Sequence, residues 1–219
     1  MASVLIAQIV ENTVVIWTDA NPAVPNYARQ NFIEIGSQCI VMHDDFLPWV
    51  SITQRFSTDP TLMALPVDEL ANGISQRLQN LATAPPNRVG HIVAGFTRNG
   101  SAAIMGLHSI NRFVPTRYFP SVCAGLPVSI WAYLASILQT IPVNRDNAMD
   151  MCLIAGLVYS RVVLSPMGLP AGSAIAILSP GQNPYWMSDA EITQRQTHNN
   201  RRLHSLQGHL INQLQELSK

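Results

Sequence analysis

Two β-type runs, Val89 to Thr97 and Ser101 to Ser109, flank Arg98-Asn99-Gly100 near the middle of the chain. An Asn-Gly pair between such runs is the strongest short hairpin signal, because a tight two-residue turn needs positive φ at both central positions. Any fold for this chain must therefore hold an antiparallel hairpin at its centre. The N-terminal segments agree with that. Ser3 to Val10 and Thr13 to Thr18 are apolar runs about Glu11-Asn12, and read as a hairpin buried on both faces. Arg29 to Ile35 and Gln38 to His43 read as another hairpin, turning at Gly36-Ser37. Between them, Asp19 to Ala28 carries Asn21, Pro22, Pro25 and Asn26, which is loop chemistry.

Helical spacing appears in Phe46 to Phe56 and in Pro66 to Ala82. Pro66 stands at a helix start, where its missing N–H costs nothing. Leu70, Ile74, Leu78 and Leu81 mark the buried stripe of that helix, and Pro85-Pro86-Asn87 ends it. Gly125 to Ile141 and Asn144 to Leu164 are helices separated by Pro142. Both are apolar nearly all round, so each should lie between two layers. Ser173 to Leu178 reads as a short buried strand. Ser188-Asp189-Ala190-Glu191 is a capping box that starts a last helix, running close to Leu217. Hairpins in the first half, helices in pairs and no strict βαβ alternation predict an α+β layered architecture rather than a Rossmann type.

The chain has 219 residues, 47% of them hydrophobic and only 12% charged. That charged share is about half of the usual one. Such a chain fills a large core and keeps apolar surface over, which reads as subunit interface. Net charge is zero, so neither nucleic acid nor an anionic membrane is an expected partner. Cys39, Cys123 and Cys152 are odd in number and widely spaced, which argues against a disulfide framework and a zinc site. The opening Met1-Ala2-Ser3-Val4 has no basic segment of a secretory signal, and no apolar stretch suits a membrane span. These features predict a cytoplasmic protein. No phosphate-binding glycine loop, CxxC, HExxH or GxSxG motif occurs, so no cofactor is expected.

Several stretches match one family in order and character. Thr13 to Asp19 resembles the second strand of proteasome subunits, which ends in an Asp, and Phe32-Ile33-Glu34-Ile35 resembles the third. Val93-Ala94-Gly95-Phe96 and its following turn resemble the central hairpin. Ala124-Gly125-Leu126-Pro127 resembles the lead-in to the third helix, and Tyr185 to Ile192 the run into the last one. The resemblance spans about Ser3 to Ile192. It implies the N-terminal nucleophile hydrolase fold, a four-layer α/β/β/α sandwich of two antiparallel sheets. Residues 1–187 would form that domain, with 188–219 a C-terminal helix of the same domain or an assembly element.

The family's chemistry uses an N-terminal Thr, Ser or Cys whose own α-amine is the general base. A carboxylate and a lysine organise the site, the lysine's charge lowering the pKa of the amine. By resemblance, Ser3 falls at the nucleophile and Asp19 at the carboxylate. The lysine position falls at or near Asn31, and the only lysine of the chain is Lys219. Arg29, on the same strand face as Asn31, is a bulkier substitute for that charge. The helper serine falls near Ala124 and the helper aspartate near Ser173. A plainer reading has Ser3 beginning a strand and Asp19 capping the loop that follows.

Other residues invite weaker readings. A two-residue turn at Asn99-Gly100 would set His91 directly across from His108, with Cβ atoms about 5 Å apart. Two imidazoles so placed suit a metal or a pH sensor, or are simply neutral histidines in a sheet interior. His43-Asp44-Asp45 reads as a strand end followed by a helix N-cap at Asp45, ahead of an acid–base or cation site. Cys123, at a predicted helix start, reads as a buried inert thiol rather than a nucleophile activated by the helix dipole. Leu203, Leu206, Leu210, Leu214 and Leu217 form one stripe, for packing on the domain itself or on a neighbouring subunit. His198, His204 and His209 lack the i, i+4 spacing of a helical metal site. The expectation is a non-catalytic, self-assembling proteasome-like subunit, in a closed or stacked ring, with a peptide or protein as ligand. The alternative is a Ser-type N-terminal nucleophile hydrolase acting through Ser3 once Met1-Ala2 is removed. A third is a binding protein that holds a metal at His91 and His108.

Overall fold

A computed structural model describes residues 4–20, 32–44, 54–81, 89–124, 144–160 and 172–217. Strands β1 (Leu5–Val10) and β2 (Thr13–Ala20) form the first hairpin. Its turn, Glu11-Asn12, holds both residues at positive φ (44° and 58°), as a two-residue turn requires. Strands β3 (Phe32–Ile35) and β4 (Gln38–Asp44) form the second hairpin, turning at Gly36 (φ 61°) as the sequence predicts. Helix α1 (Val67–Gln79) follows, with Pro66 as its N-cap and Leu70, Ile74 and Leu78 buried. Asp68 and Glu69 in its first turn and Arg77 in its last suit the helix dipole.

The central hairpin is β5 (Val89–Phe96) and β6 (Ala102–His108). Its loop is one residue longer than predicted. Thr97 N donates to Ser101 O at 2.9 Å, and only Gly100 takes positive φ (78°) within Arg98-Asn99-Gly100. Three-residue loops of this kind place a single residue in the left-handed region. The register shifts accordingly: Gly90 faces His108 and His91 faces Leu107. Strands β7 (Thr116–Tyr118) and β8 (Ser121–Ala124) were not predicted. Then come helix α2 (Arg145–Tyr159), strands β9 (Gly172–Leu178) and β10 (Tyr185–Trp186), and helices α3 (Asp189–His198) and α4 (Asn200–Leu217). The predicted capping box starts α3, with Ser188 and Glu191 bonding reciprocally. The single last helix of the sequence reading is broken at Asn199 (φ −95°, ψ 11°). The predicted helices at Phe46 to Phe56 and Gly125 to Ile141 fall largely or wholly outside the described residues. At the end of the first, overlapping its last two residues, Arg55–Thr58 is a 3-10 turn.

The strands form two antiparallel five-stranded sheets, in the orders β10-β9-β2-β1-β8 and β3-β4-β5-β6-β7. The chain passes from one to the other at Phe119-Pro120, between β7 and β8. Three apolar layers result. Leu5, Ala7, Val14 and Ile16 pack between the sheets against Ile92, Ala94 and Ile104. Helix α1 covers the outer face of the second sheet, against Val89, Val93 and Leu107. Helix α2 covers the outer face of the first, against Ile6, Val15, Trp17 and Ile175. Each fully buried aliphatic side chain contributes about 1.5–3 kcal/mol. Helix α2 is buried on nearly every side, packing on the first sheet and touching α3 and α4 among the described residues, which agrees with its all-round apolar sequence. Arg195 of α3 is ion-paired to Asp146 and Asp150 of α2.

Candidate functional site

Strands β1 and β2 stay paired past the hairpin's apolar core: Leu5 faces Thr18, and the next residues out are Val4 and Asp19. There the backbone of Val4 is held on both sides. Its carbonyl accepts from Asp19 N at 3.3 Å and from Thr18 Oγ1 at 2.8 Å. Its N–H donates to Asp19 Oδ1 at 2.7 Å. That N–H belongs to the peptide joining Ser3 to Val4, so the carboxylate is fixed one residue from Ser3. Asp19 is only 3% exposed. A carboxylate so deep needs donors, and a short bond from a backbone N–H supplies one.

Neighbouring strands bring further residues to this end. Ser173 of β9 faces Asp19, and Ala124 of β8 faces Leu5. Helix α2 runs alongside β2 toward the same place. Its first N–H, at Arg145, points to Glu11 Oε2 at 3.2 Å beside the β1–β2 turn. Its Gly156 lies so close to Trp17 that a Cβ there would sit 2.1 Å from the indole. Its last residue, Tyr159, lies near enough to feel the Asp19 charge. Burial, and after it the Asp19 charge, push the Tyr159 phenol up to about 12. Ser160 follows at the helix end and is fully buried. The hydroxyls of Ser160 and Ser173 and the Nε1 of Trp17 are buried and have no hydrogen-bond partner among the described residues.

The sequence thus named three residues that the fold gathers: Asp19, Ala124 and Ser173. Ser3, Asn31 and Arg29 lie outside the described residues. Sequence reasoning missed Thr18, Trp17, Tyr159 and Ser160. The sequence places Tyr159 and Ser160 inside an apolar helix read as Asn144 to Leu164, and offers no further signal for them.

The proposed His91–His108 pair does not form. With the three-residue loop the two residues are staggered by one position, and a one-residue shift puts side chains on opposite faces. His91 is fully buried on the α1 side, edge-on to Phe113 with ring centroids 6.2 Å apart. Among the described residues, no group of three or more His, Cys, Asp or Glu gathers as a metal site. His43 and Asp44 lie at the end of β4 opposite Gly90 and Val89, as the strand-end reading expects, and Asp45 lies outside the described residues. Cys123 sits on β8, and the helix predicted from Gly125 lies outside the described residues. Burial pushes its thiol up to about 12, and Cys39 and Cys152 are raised as well, which is the inert state. No described helix is long and apolar enough to cross a membrane. No protein-family model matches the chain, and no curated protein matches it.

Proposed function

We propose that the chain is a proteasome-like subunit of the N-terminal nucleophile hydrolase type that lacks a full catalytic set. It assembles with its own copies and serves as a scaffold or interaction module. One observation carries this reading. The residues in register with Leu5 and Asp19 are Ala124 and Ser173, a methyl group and an uncharged hydroxyl. The resemblance expects a helper serine and a helper aspartate there. The only lysine being Lys219, the charge that would keep an N-terminal amine basic is missing too. The two antiparallel sheets with helices on their outer faces agree with the family's layers, and the low charged share agrees with extensive subunit contact. Light scattering on the purified protein at micromolar concentration tests the assembly. A particle of several chains is expected; a monomer overturns the scaffold reading.

A second reading is favoured by the 2.7 Å bond between Val4 N and Asp19 Oδ1. Removal of Met1-Ala2 would expose the Ser3 amine next to that carboxylate. The amine would take the Ser3 hydroxyl proton as the oxygen attacks a peptide carbonyl, with Asp19 orienting the amine. Intact mass of untagged protein decides whether Ser3 is ever the first residue. Hydrolysis of a peptide substrate that disappears in Ser3→Ala would establish the second reading; hydrolysis that persists would remove Ser3 from the mechanism.

A further inference from the structure

Trp17 Nε1, Ser160 Oγ and Ser173 Oγ are not scattered. Trp17 and Asp19 are two apart on β2 and face α2, as does Ser173, the cross-strand partner of Asp19. Ile175, two residues after Ser173, faces Trp17 within the same apolar layer. Gly156 lies against the indole, with the position of its missing Cβ 2.6 Å from Nε1. Ser160 is one helical turn further along the same side of α2. Positions i and i+4 on a helix are about 6 Å apart, and i and i+2 on a strand about 7 Å. Side chains rooted at such spacings can bring their polar atoms within hydrogen-bond reach of one shared oxygen. A helical serine ordinarily bonds back to the carbonyl four residues earlier, and Ser160 Oγ does not.

We propose that these three groups form a buried hydration site, in which ordered water bridges Trp17 Nε1 to the Ser160 and Ser173 hydroxyls beneath the Asp19 end. The ligand chemistry is that of water. The indole N–H can only donate, and each hydroxyl both donates and accepts, so a molecule that both accepts and donates completes all three. Buried waters typically make about three such bonds to groups that have no other partner. The site depends on the side of the first sheet that faces α2, and holds whether or not Ser3 is ever an N-terminus.

Two measurements test it. The first is the unfolding midpoint of the full chain with Ser160→Ala, Ser173→Ala and both together. A hydroxyl that holds a water is missed when removed, so each single variant should lower Tm by about 2–4 °C. The double variant should lose less than the sum, because the two share a ligand. A bare buried hydroxyl is itself a cost, so its removal would raise Tm or leave it unchanged, and that result overturns the site. The second covers variants that do not fold. It is a crystal structure of the unaltered chain at a resolution that shows ordered water. Density within hydrogen-bond reach of Trp17 Nε1 and of at least one of the two hydroxyls is expected; a clear map with none there overturns the proposal.

Discussion

Two backbone N–H groups at opposite ends of the first hairpin are held by side chains at nearly the same distance. Ala102 N donates to Asn12 Oδ1 at 2.6 Å, and Val4 N donates to Asp19 Oδ1 at 2.7 Å. The settings differ. At the turn end, Asn12 also donates from Nδ2 to Gly100 O at 2.8 Å, and so clips one sheet to the other. Its neighbour Glu11 receives the first N–H of α2. The polar groups there complete one another. At the Asp19 end a carboxylate is nearly fully buried, a tyrosine is raised beside it, and three polar atoms are left unmatched among the described residues. A turn that only has to fold can satisfy its own groups, whereas local inconsistency collects where a site is held. The Asp19 end, the proposed site, is where Trp17, Ser160 and Ser173 leave polar atoms without a partner among the described residues.

The largest expected effect comes from Gly156→Ala. The added Cβ would overlap the Trp17 indole, which is fully buried and cannot retreat. Overpacking of this sort costs about 3 kcal/mol. Because Glu11 Oε2 accepts the first N–H of α2, the helix should swing about that end and lift Tyr159 and Ser160 away from the first sheet. Hydrogen exchange should then speed up at Val4 and Asp19 while Ala102 keeps its protection. Equal loosening at both ends would break the comparison.

Next is Asn12→Ala, expected to cost about 1–2 kcal/mol. It strands Gly100 O and Ala102 N, and it places an alanine at φ 58°. Asn12→Gly removes the same bonds and tolerates that φ. The glycine variant should recover only part of the loss in chemical denaturation. Full recovery would mean that the turn end is held by backbone conformation and not by the clip between sheets.

These contrasts follow how legible each part was in the sequence. The β1–β2 hairpin, the Leu70–Ile74–Leu78 stripe and the capping box at Ser188 are local patterns, and local patterns survive folding. Strands β7 and β8 span three and four residues beside prolines, too short for periodicity to register. The Asn99-Gly100 signal correctly marked a hairpin and misplaced its register by one, since a three-residue loop can use the same pair. That single residue undid the His91–His108 pairing. At the candidate site, Asp19, Ala124 and Ser173 were found through resemblance in order and spacing. Tyr159, Ser160 and the seat of Trp17 on Gly156 depend on how α2 crosses the sheet, which no local pattern encodes.

The smallest effect concerns acid, and it sharpens the comparison most. Glu191 is held down to about 2 by the Ser188 hydroxyl first, then by the Tyr185 hydroxyl and the Ser188 N–H. Asp59 is also lowered, first by the Thr61 hydroxyl, then by the Thr61 N–H and Arg77. A carboxyl depressed on folding contributes stability that is present above its unfolded value and is lost as pH falls through the folded one. For Glu191 that window runs from its ordinary 4.5 down to about 2. Both groups are only partly exposed and belong to neither end, so their losses would blur any acid effect at the site. In Glu191→Gln with Asp59→Asn, the curve of Tm against pH should flatten over that window. Protection factors then separate the ends. The acceptor for Val4 N is a carboxylate, which weakens as an acceptor once protonated, and the acceptor for Ala102 N is a neutral amide. Val4 should lose protection on acidification while Ala102 holds. If both fall together, the acid response is global, and the Asp19 bond adds nothing that the Asn12 clip does not.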